Sequence, residues 1–357
     1  MIEIILDGII GTHRLFALPL GGMYDFLIGS FEILALLVLV ACVVFLIRRN
    51  ALKIKRFWSA EMTSWPRSDA NYILIAEILL MTAFLKMNAA DLLLQTRGVE
   101  GYVQAGAYPV SQFLVPFFEG FSNEFLVFTE RTAWWFHIVG ILVFLNYVPY
   151  SKHFHIFLAF PNVFYSNLEN KGRMPNLEQV TNEVKLMMDP AADPYAAPAS
   201  DAPVEKFGAK DVFDLSRKQL MDAYACTECG RCTSQCPANI TGKKLSPRKI
   251  MMDTRDRLQE VGKTIDAGND PKEDGKSLLG DYIQSEEIWA CTTCNACTEA
   301  CPVNIDPLSI IVDLRRYLVM EESKMPTELT AMSTNIENNG APWQFAPTDR
   351  LNWKDED

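Results

Sequence analysis

The chain has 357 residues, 33 Lys+Arg against 44 Asp+Glu, a formal net charge of −11, and 49% hydrophobic against 22% charged residues. The acidic balance excludes a general nucleic-acid binder, which needs a basic face, and nine cysteines are too few for a disulfide-dense secreted scaffold of this length. Apolar residues crowd the first 165 positions and charge crowds the rest, so the length reads as two or three units.

Residues 27–47 form an apolar run broken only by Glu32, long enough to cross a bilayer core. A second span is expected at 72–94, carrying Glu77, Lys86 and Asp91. The alternative for it is a buried helix of a soluble protein. A third lies at 125–148, with Trp134 and Trp135 near one end and Tyr147 and Tyr150 near the other, as an aromatic belt requires. The segment 110–121 contains Pro116 and is expected at the interface rather than across it. No basic stretch and cleavage site precede the first run, so it does not read as a signal peptide. Intramembrane Glu32, Glu77, Lys86 and Asp91 are costly in lipid and should face protein or water. Cys42 reads as a small buried hydrophobe.

Orientation follows from the loops. Residues 48–67 hold Arg48, Arg49, Lys53, Lys55, Arg56 and Arg67 against one acid, Glu61. The positive-inside rule places this loop in the cytoplasm and the N-terminus outside. The third span then returns the chain to the cytoplasm at Lys152. The expectation is a multi-pass protein of the inner (cytoplasmic) membrane, in contact with lipid.

From Asn176, Leu177, Val180, Val184, Met187 and Met188 recur at helical spacing. "DPAADPYAAPASDAPVEKFG" follows, a linker by composition. The expected domains are a membrane unit at 1–165, a helix and linker at 166–205, a metal-binding unit at 206–325 and a polar tail at 326–357. In the tail, Trp343, Phe345 and Trp353 suit either a partner or the parent domain.

The metal-binding unit carries an internal repeat. "CTECGRCTSQCPANI" starts at Cys226 and "CTTCNACTEACPVNI" at Cys291, with nine of 15 positions identical. Each has the spacing C-x2-C-x2-C-x3-C-P, the bacterial ferredoxin pattern for [4Fe–4S] clusters. Three closely spaced thiolates wrap one cluster, and the fourth, followed by Pro, reaches the other. One cluster is then expected on Cys226, Cys229, Cys232 and Cys301, and the second on Cys291, Cys294, Cys297 and Cys236. Zinc is the alternative, but structural zinc takes two C-x2-C pairs rather than four cysteines in eleven residues, twice. Disulfides are disfavoured in a cytoplasmic domain.

Around the motifs the pattern is helical. Ser216 with Gln219 makes a capping box. Ser246–Pro247 starts a helix that Gly262 can end, Asp306–Pro307 starts another through Ile310, Ile311, Leu314 and Leu318, and Ser285 can cap a short one. No alternating β pattern intervenes, so the fold class is all-α: a transmembrane helical bundle plus an α-helical two-cluster ferredoxin domain. Arg231, Lys243, Lys244, Arg248 and Lys249 lie around the first motif. They read either as cations that raise a cluster's potential and attract an acidic partner, or as a solvated helix face.

These motifs, with 54 residues between Cys236 and Cys291, resemble the α-helical ferredoxin domain of heterodisulfide reductase, in its C-type iron–sulfur protein, and of the iron–sulfur subunits of succinate and glycerol-3-phosphate dehydrogenases. The resemblance covers 206–325. The third span, followed by "YSKHFHIFLAFPNVF", resembles the haem-binding gamma subunit of respiratory nitrate reductase and the membrane subunit of heterodisulfide reductase. His137 and His155 are 18 residues apart. On one continuous helix they would share a face at about 27 Å separation and could ligate two b-type haems. The relatives take the opposite ligands from an earlier helix, but the first two spans here contain no histidine. His13 is the one candidate partner, for His137. Two readings stand: haem is absent and His137 and His155 contact an interface or a quinone, or helices precede this chain, whose opening "MIEIILDGIIGTHR" reads like the end of one.

No G-x-G-x-x-G, no G-x-x-x-x-G-K-[ST] and no Cys-Cys-Gly motif is present, so substrate chemistry is expected on another polypeptide. The expected function is a membrane-bound electron-transfer subunit of a quinone-linked oxidoreductase. It would link a cytoplasmic partner to menaquinone or another quinone. The partner classes are a Cys-Cys-Gly-type iron–sulfur protein, an electron-transfer flavoprotein or a flavin dehydrogenase. The alternative is a non-enzymatic tether presenting a ferredoxin to a soluble oxidoreductase.

Overall fold

The computed structural model describes residues 2–170, 172–190 and 206–355, in two compact units, 1–154 and 155–357. Among the described residues helices form and no strand does, as the all-α reading expected. Most of the Pro/Ala linker, 191–205, lies outside the described residues.

The first unit comprises α1 (Ile2–Ile10), α2 (Ala17–Leu20), α3 (Gly22–Leu46), α4 (Ser64–Thr96) and α5 (Asn123–Tyr147). Three stretches, Gly22–Ala51, Ser64–Thr96 and Asn123–Tyr150, are long and apolar enough to cross a membrane. Each contains one of the expected spans. Helix α4 packs against both α3 and α5. Its Ala89 and Ala90 are fully buried, small enough to let neighbouring backbones approach. Opposite α4, Gly140 of α5 meets Leu80, where a Cβ would come within 2.7 Å of the Leu80 side chain. The 110–121 segment forms short 3-10 turns at Ser111–Phe113 and Val115–Phe117.

The helix expected to carry both His137 and His155 does not continue. Helix α5 ends at Tyr147, a 3-10 turn spans Val148–Tyr150, and Ser151 is extended (φ −114°, ψ 162°). Pro149, lacking an N–H, breaks the helix rather than kinking it. The premise of a shared helical face for the two histidines is therefore lost.

The second unit comprises α6 (His155–Phe164), α7 (Glu178–Met188), α8 (Arg217–Ala225), α9 (Arg231–Gln235), α10 (Pro237–Ile240), α11 (Pro247–Asp266), α12 (Ser285–Trp289), α13 (Ala296–Glu299), α14 (Pro307–Met320) and α15 (Thr327–Asn339). Helix α6, expected with the membrane unit, packs on α8. Its Asn162 is fully buried, donating to the Val303 carbonyl (3.0 Å) and accepting from Lys218 Nζ (3.1 Å). The core gathers Ile250, Leu278, Ile283, Ile288, Ile310 and Leu314, all fully buried.

Local sequence explains most helix starts. The Ser216 and Gln219 capping box forms at α8. Ser246 accepts from Lys249 N, and Asp306 from Leu308 N and Ser309 N, each ahead of a Pro at the first helical position. Two expectations are corrected. Gly262 does not end α11, which runs to Asp266. The chain turns at Gly268 (φ 77°), whose N–H reaches the Ile265 carbonyl. The cap of α12 is Gln284, in a capping box with Glu287, one residue before Ser285.

The chain enters this unit past Gly208, which has a positive φ of 76° and lies against α14. A Cβ there would come within 2.3 Å of the Asp313 carbonyl oxygen and 2.5 Å of Tyr317 N. Gly208→Ala is expected to lower the stability of this unit by more than about 1 kcal/mol, read as a lower urea midpoint by circular dichroism. An unchanged midpoint would refute the close approach.

Candidate metal centre

The two cysteine motifs fold alike. In each C-x2-C stretch the residue before the second cysteine has left-handed backbone: Glu228 (φ 58°) and Thr293 (φ 56°). The residue after it repeats the conformation, at Gly230 (φ 73°) and Asn295 (φ 59°). A β-branched residue in this region is a genuine outlier, and strain of roughly 1–3 kcal/mol persists only where the surroundings enforce it. Here the strain turns backbone N–H groups inward: Glu228 N donates to Cys226 Sγ and Thr293 N to Cys291 Sγ, both at 3.4 Å. Short helices α9 and α13 then carry Cys232 and Cys297 and pack on each other. Cys236 and Cys301 follow, each before a proline. The repeat diverges there: residues 237–240 form α10, whereas Asn304 adopts a left-handed turn (φ 54°).

All eight motif cysteines are free thiols, so no disulfide competes for them. Cys226, Cys236 and Cys297 are buried, Cys294 is exposed and the other four are intermediate. Burial pushes Cys226 and Cys297 up to about 12. Cys294 is lowered instead, chiefly by a hydrogen bond from Ala296 N–H. Uncoordinated thiolates are thus disfavoured at most positions, and coordination by iron would deprotonate them outright. The thiols also interact across the repeat. Besides burial, Cys301 is raised by the charge of Cys229, and Cys291 by that of Cys236. Among the described residues no three His, Cys, Asp or Glu side chains converge as a single ion requires. A four-iron cube asks its thiolates to surround a body rather than a point. The buried thiols and inward N–H groups fit such a cluster.

The basic residues around the first motif divide. Arg248 is fully buried, and its Nη1 lies 3.4 Å from the Glu228 carbonyl oxygen. Lys249 is paired with Asp253 (2.7 Å) and Glu287 (2.9 Å), and Lys244 with Glu286 (2.5 Å). Arg231 and Lys243 are exposed. Sequence reasoning missed Glu228, buried beside Cys229 and paired with Arg255 at 2.7 Å. It also missed Asp222, whose carboxyl burial pushes up although Lys218 sits 2.6 Å away. Nothing in motif spacing marks either.

The charges within the first two apolar helices divide too. Glu32 is fully buried and accepts from Asn88 Nδ2 (3.0 Å), Val110 N (2.9 Å) and Ser111 N (3.1 Å). Asp91 is buried, accepting from Arg14 Nε (2.8 Å) and lying 3.2 Å from His13 Nε2. Glu77 is half-buried and Lys86 exposed. Cys42 is buried, as expected.

The histidines do not assemble. His13 is held at Asp91, whereas His137 places Nδ1 3.0 Å from the Leu80 carbonyl oxygen. Asp91 and Leu80 are eleven residues apart on α4, about 16 Å of helix rise. Opposite ligands of one iron must lie much closer, so His13 and His137 do not fit a shared haem. His155 opens α6 in the other unit.

Comparison with known proteins agrees with the cysteine reading. Residues 225–305 match the 4Fe-4S dicluster domain. The probable iron-sulfur-binding oxidoreductase FadF of Bacillus subtilis is 38% identical over 253 residues, 63% of this chain and 33% of that protein. The EtfAB:quinone oxidoreductase of Syntrophomonas wolfei is 31% identical over 313 residues, 81% of this chain and 40% of that protein. A probable membrane-anchored ferredoxin of Chromohalobacter salexigens is 32% identical over 174 residues, 43% of this chain and 24% of that protein. The chain thus spans well under half the length of these relatives. No solved structure matches it. Together with the three apolar helices, these similarities support an iron–sulfur electron-transfer role at a membrane.

Proposed function

We propose that this chain is the membrane-bound electron-transfer subunit of a quinone-linked oxidoreductase, passing electrons between a soluble redox partner and the quinone pool. The observation that carries the reading is the doubled cysteine motif, whose two C-x2-C stretches fold alike with most of their thiols withdrawn from solvent, in a chain that also holds three apolar helices. Cys226, Cys229, Cys232 and Cys301 hold one [4Fe–4S] cluster, and Cys291, Cys294, Cys297 and Cys236 the other. When bound, the clusters supply one-electron exchange.

The residues of the chain do the rest. The inward N–H groups of Glu228 and Thr293 stabilise thiolate charge, and cluster potential responds to such hydrogen bonds and to solvent exposure. The buried core around Ile250 and Ile310 excludes water. Cys294, the exposed thiol, marks the edge open to a soluble donor. The basic 48–67 loop favours a cytoplasmic ferredoxin unit and an external N-terminus. The partner is a Cys-Cys-Gly-type iron–sulfur protein, an electron-transfer flavoprotein or a flavin dehydrogenase, and the name of the Syntrophomonas relative supports the flavoprotein and the quinone. Haem is not assigned to the histidines of this chain, because His13 and His137 do not meet.

Purified, oxidised full-length protein mixed anaerobically with a menaquinol analogue should lose the broad visible absorbance of its clusters. An intact, iron-loaded protein whose spectrum stays unchanged would favour the second reading, a tether without a quinone site, which the membrane-anchored ferredoxin relative suggests.

A further inference from the structure

Beyond this electron path, the basic end of the first unit contains a cavity of about 240 Å3 between the end of α3 and the start of α4. Its polar lining is Arg49, Asn50, Ser64, Arg67, Ser68 and Asn71, with Phe57 and Trp58 as the remaining wall. None of these residues is acidic.

The local structure holds this donor set in place. Arg49 and Asn50 lie in a π-helical turn, Ile47–Ala51, a distortion frequent at functional sites. Asn50 and Asn71 exchange side-chain hydrogen bonds at 3.1 and 3.2 Å, tying that turn to α4. Trp58 Nε1 donates to the Arg49 carbonyl (3.0 Å), folding the loop back over the cavity. The guanidinium carbon of Arg49 lies over the Phe57 ring and that of Arg67 over the Trp58 ring, both 4.7 Å from the centroid. Arg67 gives Nε to the Thr63 carbonyl (3.2 Å), and among the described residues no carboxylate pairs with it. With no carboxylate paired to it, the Arg67 guanidinium offers N–H groups to an oxyanion, and a guanidinium fork suits the oxygens of a phosphate.

We propose that this cavity binds a phosphate group, carried by an anionic phospholipid whose head group sits among Arg49, Arg67 and the two serines. The apolar flanks below favour the lipid over free phosphate. Val44 and Ile47 on one side, and Ile75 and Leu79 on the other, are exposed large hydrophobics that acyl chains would cover. Trp58 and Trp65, both exposed, stand at the same end, where interfacial tryptophans belong. The ligand deepens the anchoring half of the proposed function and is independent of the clusters.

The test uses full-length protein in nanodiscs of phosphatidylcholine and phosphatidylglycerol, with retained lipid read by native mass spectrometry. Wild type should retain phosphatidylglycerol preferentially. Arg49→Gln or Arg67→Gln should weaken that preference roughly fivefold each. Ser68→Leu, which fills the cavity without changing charge, should also weaken it. The double variant Arg48→Gln/Lys55→Gln, basic positions of the same loop outside the lining, should stay near wild type. Unchanged helicity and cluster absorbance confirm folding. Equal loss in the double variant, or no loss in Ser68→Leu, would reduce the effect to diffuse surface charge and overturn the site. Retention of inorganic phosphate by lipid-free protein, with millimolar phosphate displacing phosphatidylglycerol, would overturn the lipid and leave a free-phosphate site.

Discussion

Cys301→Ala is expected to halve the iron content of the chain, from about eight to about four atoms, and to empty the cluster held by the first motif rather than the second. The reason is the proposed crossed ligation, in which Cys301, although it ends the second repeat, completes the cluster of the first. Double variants distinguish this from the uncrossed alternative. Cys301→Ala with Cys226→Ala disables one cluster twice, so about four irons stay. Cys301→Ala with Cys291→Ala disables both, so almost none stay. The reverse pattern of iron counts would show that each motif closes on itself. In both double variants, electron flow from quinol analogue to a soluble acceptor should fall to background, because the relay loses one or both of its stations.

Arg257→Ala is expected to cost the ferredoxin unit about 3–5 kcal/mol, the loss typical when one partner of a buried ion pair is removed. Arg257 is fully buried in α11. Its Nη2 donates to Asp211 Oδ2 (2.7 Å), to Asp274 Oδ1 (3.2 Å) and to the Lys276 carbonyl (3.0 Å). Asp211 also accepts from Val212 N (2.8 Å) and Leu278 N (3.0 Å). One guanidinium therefore joins the entry segment, α11 and the loop that leads to α12. Its deletion leaves two carboxylates facing each other with the balancing charge gone. Arg257→Lys should recover only part of the loss, since an ammonium cannot offer two parallel edges. Urea midpoints compared by circular dichroism measure the effect. A drop worth less than about 1 kcal/mol would class the cluster with weak surface pairs instead.

Features written in adjacent residues were legible in the sequence. The cysteine spacing, the Ser216–Gln219 box and the Ser–Pro and Asp–Pro helix starts each depend on a few consecutive side chains, and all appear. Stops were less legible. A glycine ends a helix only where the chain needs left-handed backbone, and Gly268 meets that need while Gly262 does not. A proline within a helical run, such as Pro149, can bend a helix or break it, and which of the two occurs depends on the surrounding packing. Least legible were the long-range polar pairings. Glu32 and Asn88 are 56 residues apart, and Arg257 and Asp211 are 46 apart, with no periodicity linking them. The strained Thr293 was equally hidden, because the motif spacing says nothing about φ.

The Glu32 contacts bear on how α3 keeps its height. That helix buries only a narrow stripe, Tyr24, Ile28, Gly29, Glu32, Ala35 and Cys42, and turns its leucines and valines outward. Greasy ridges slide past one another at little cost in oil, so they fix the axial offset of neighbouring rods poorly. A carboxylate gripped by one amide side chain of α4 and two main-chain donors at 110 and 111 allows a single offset. The outward leucines are then free to drift among aliphatic types while the rod stays pinned, and one glutamate sets the axial register of an entire helix.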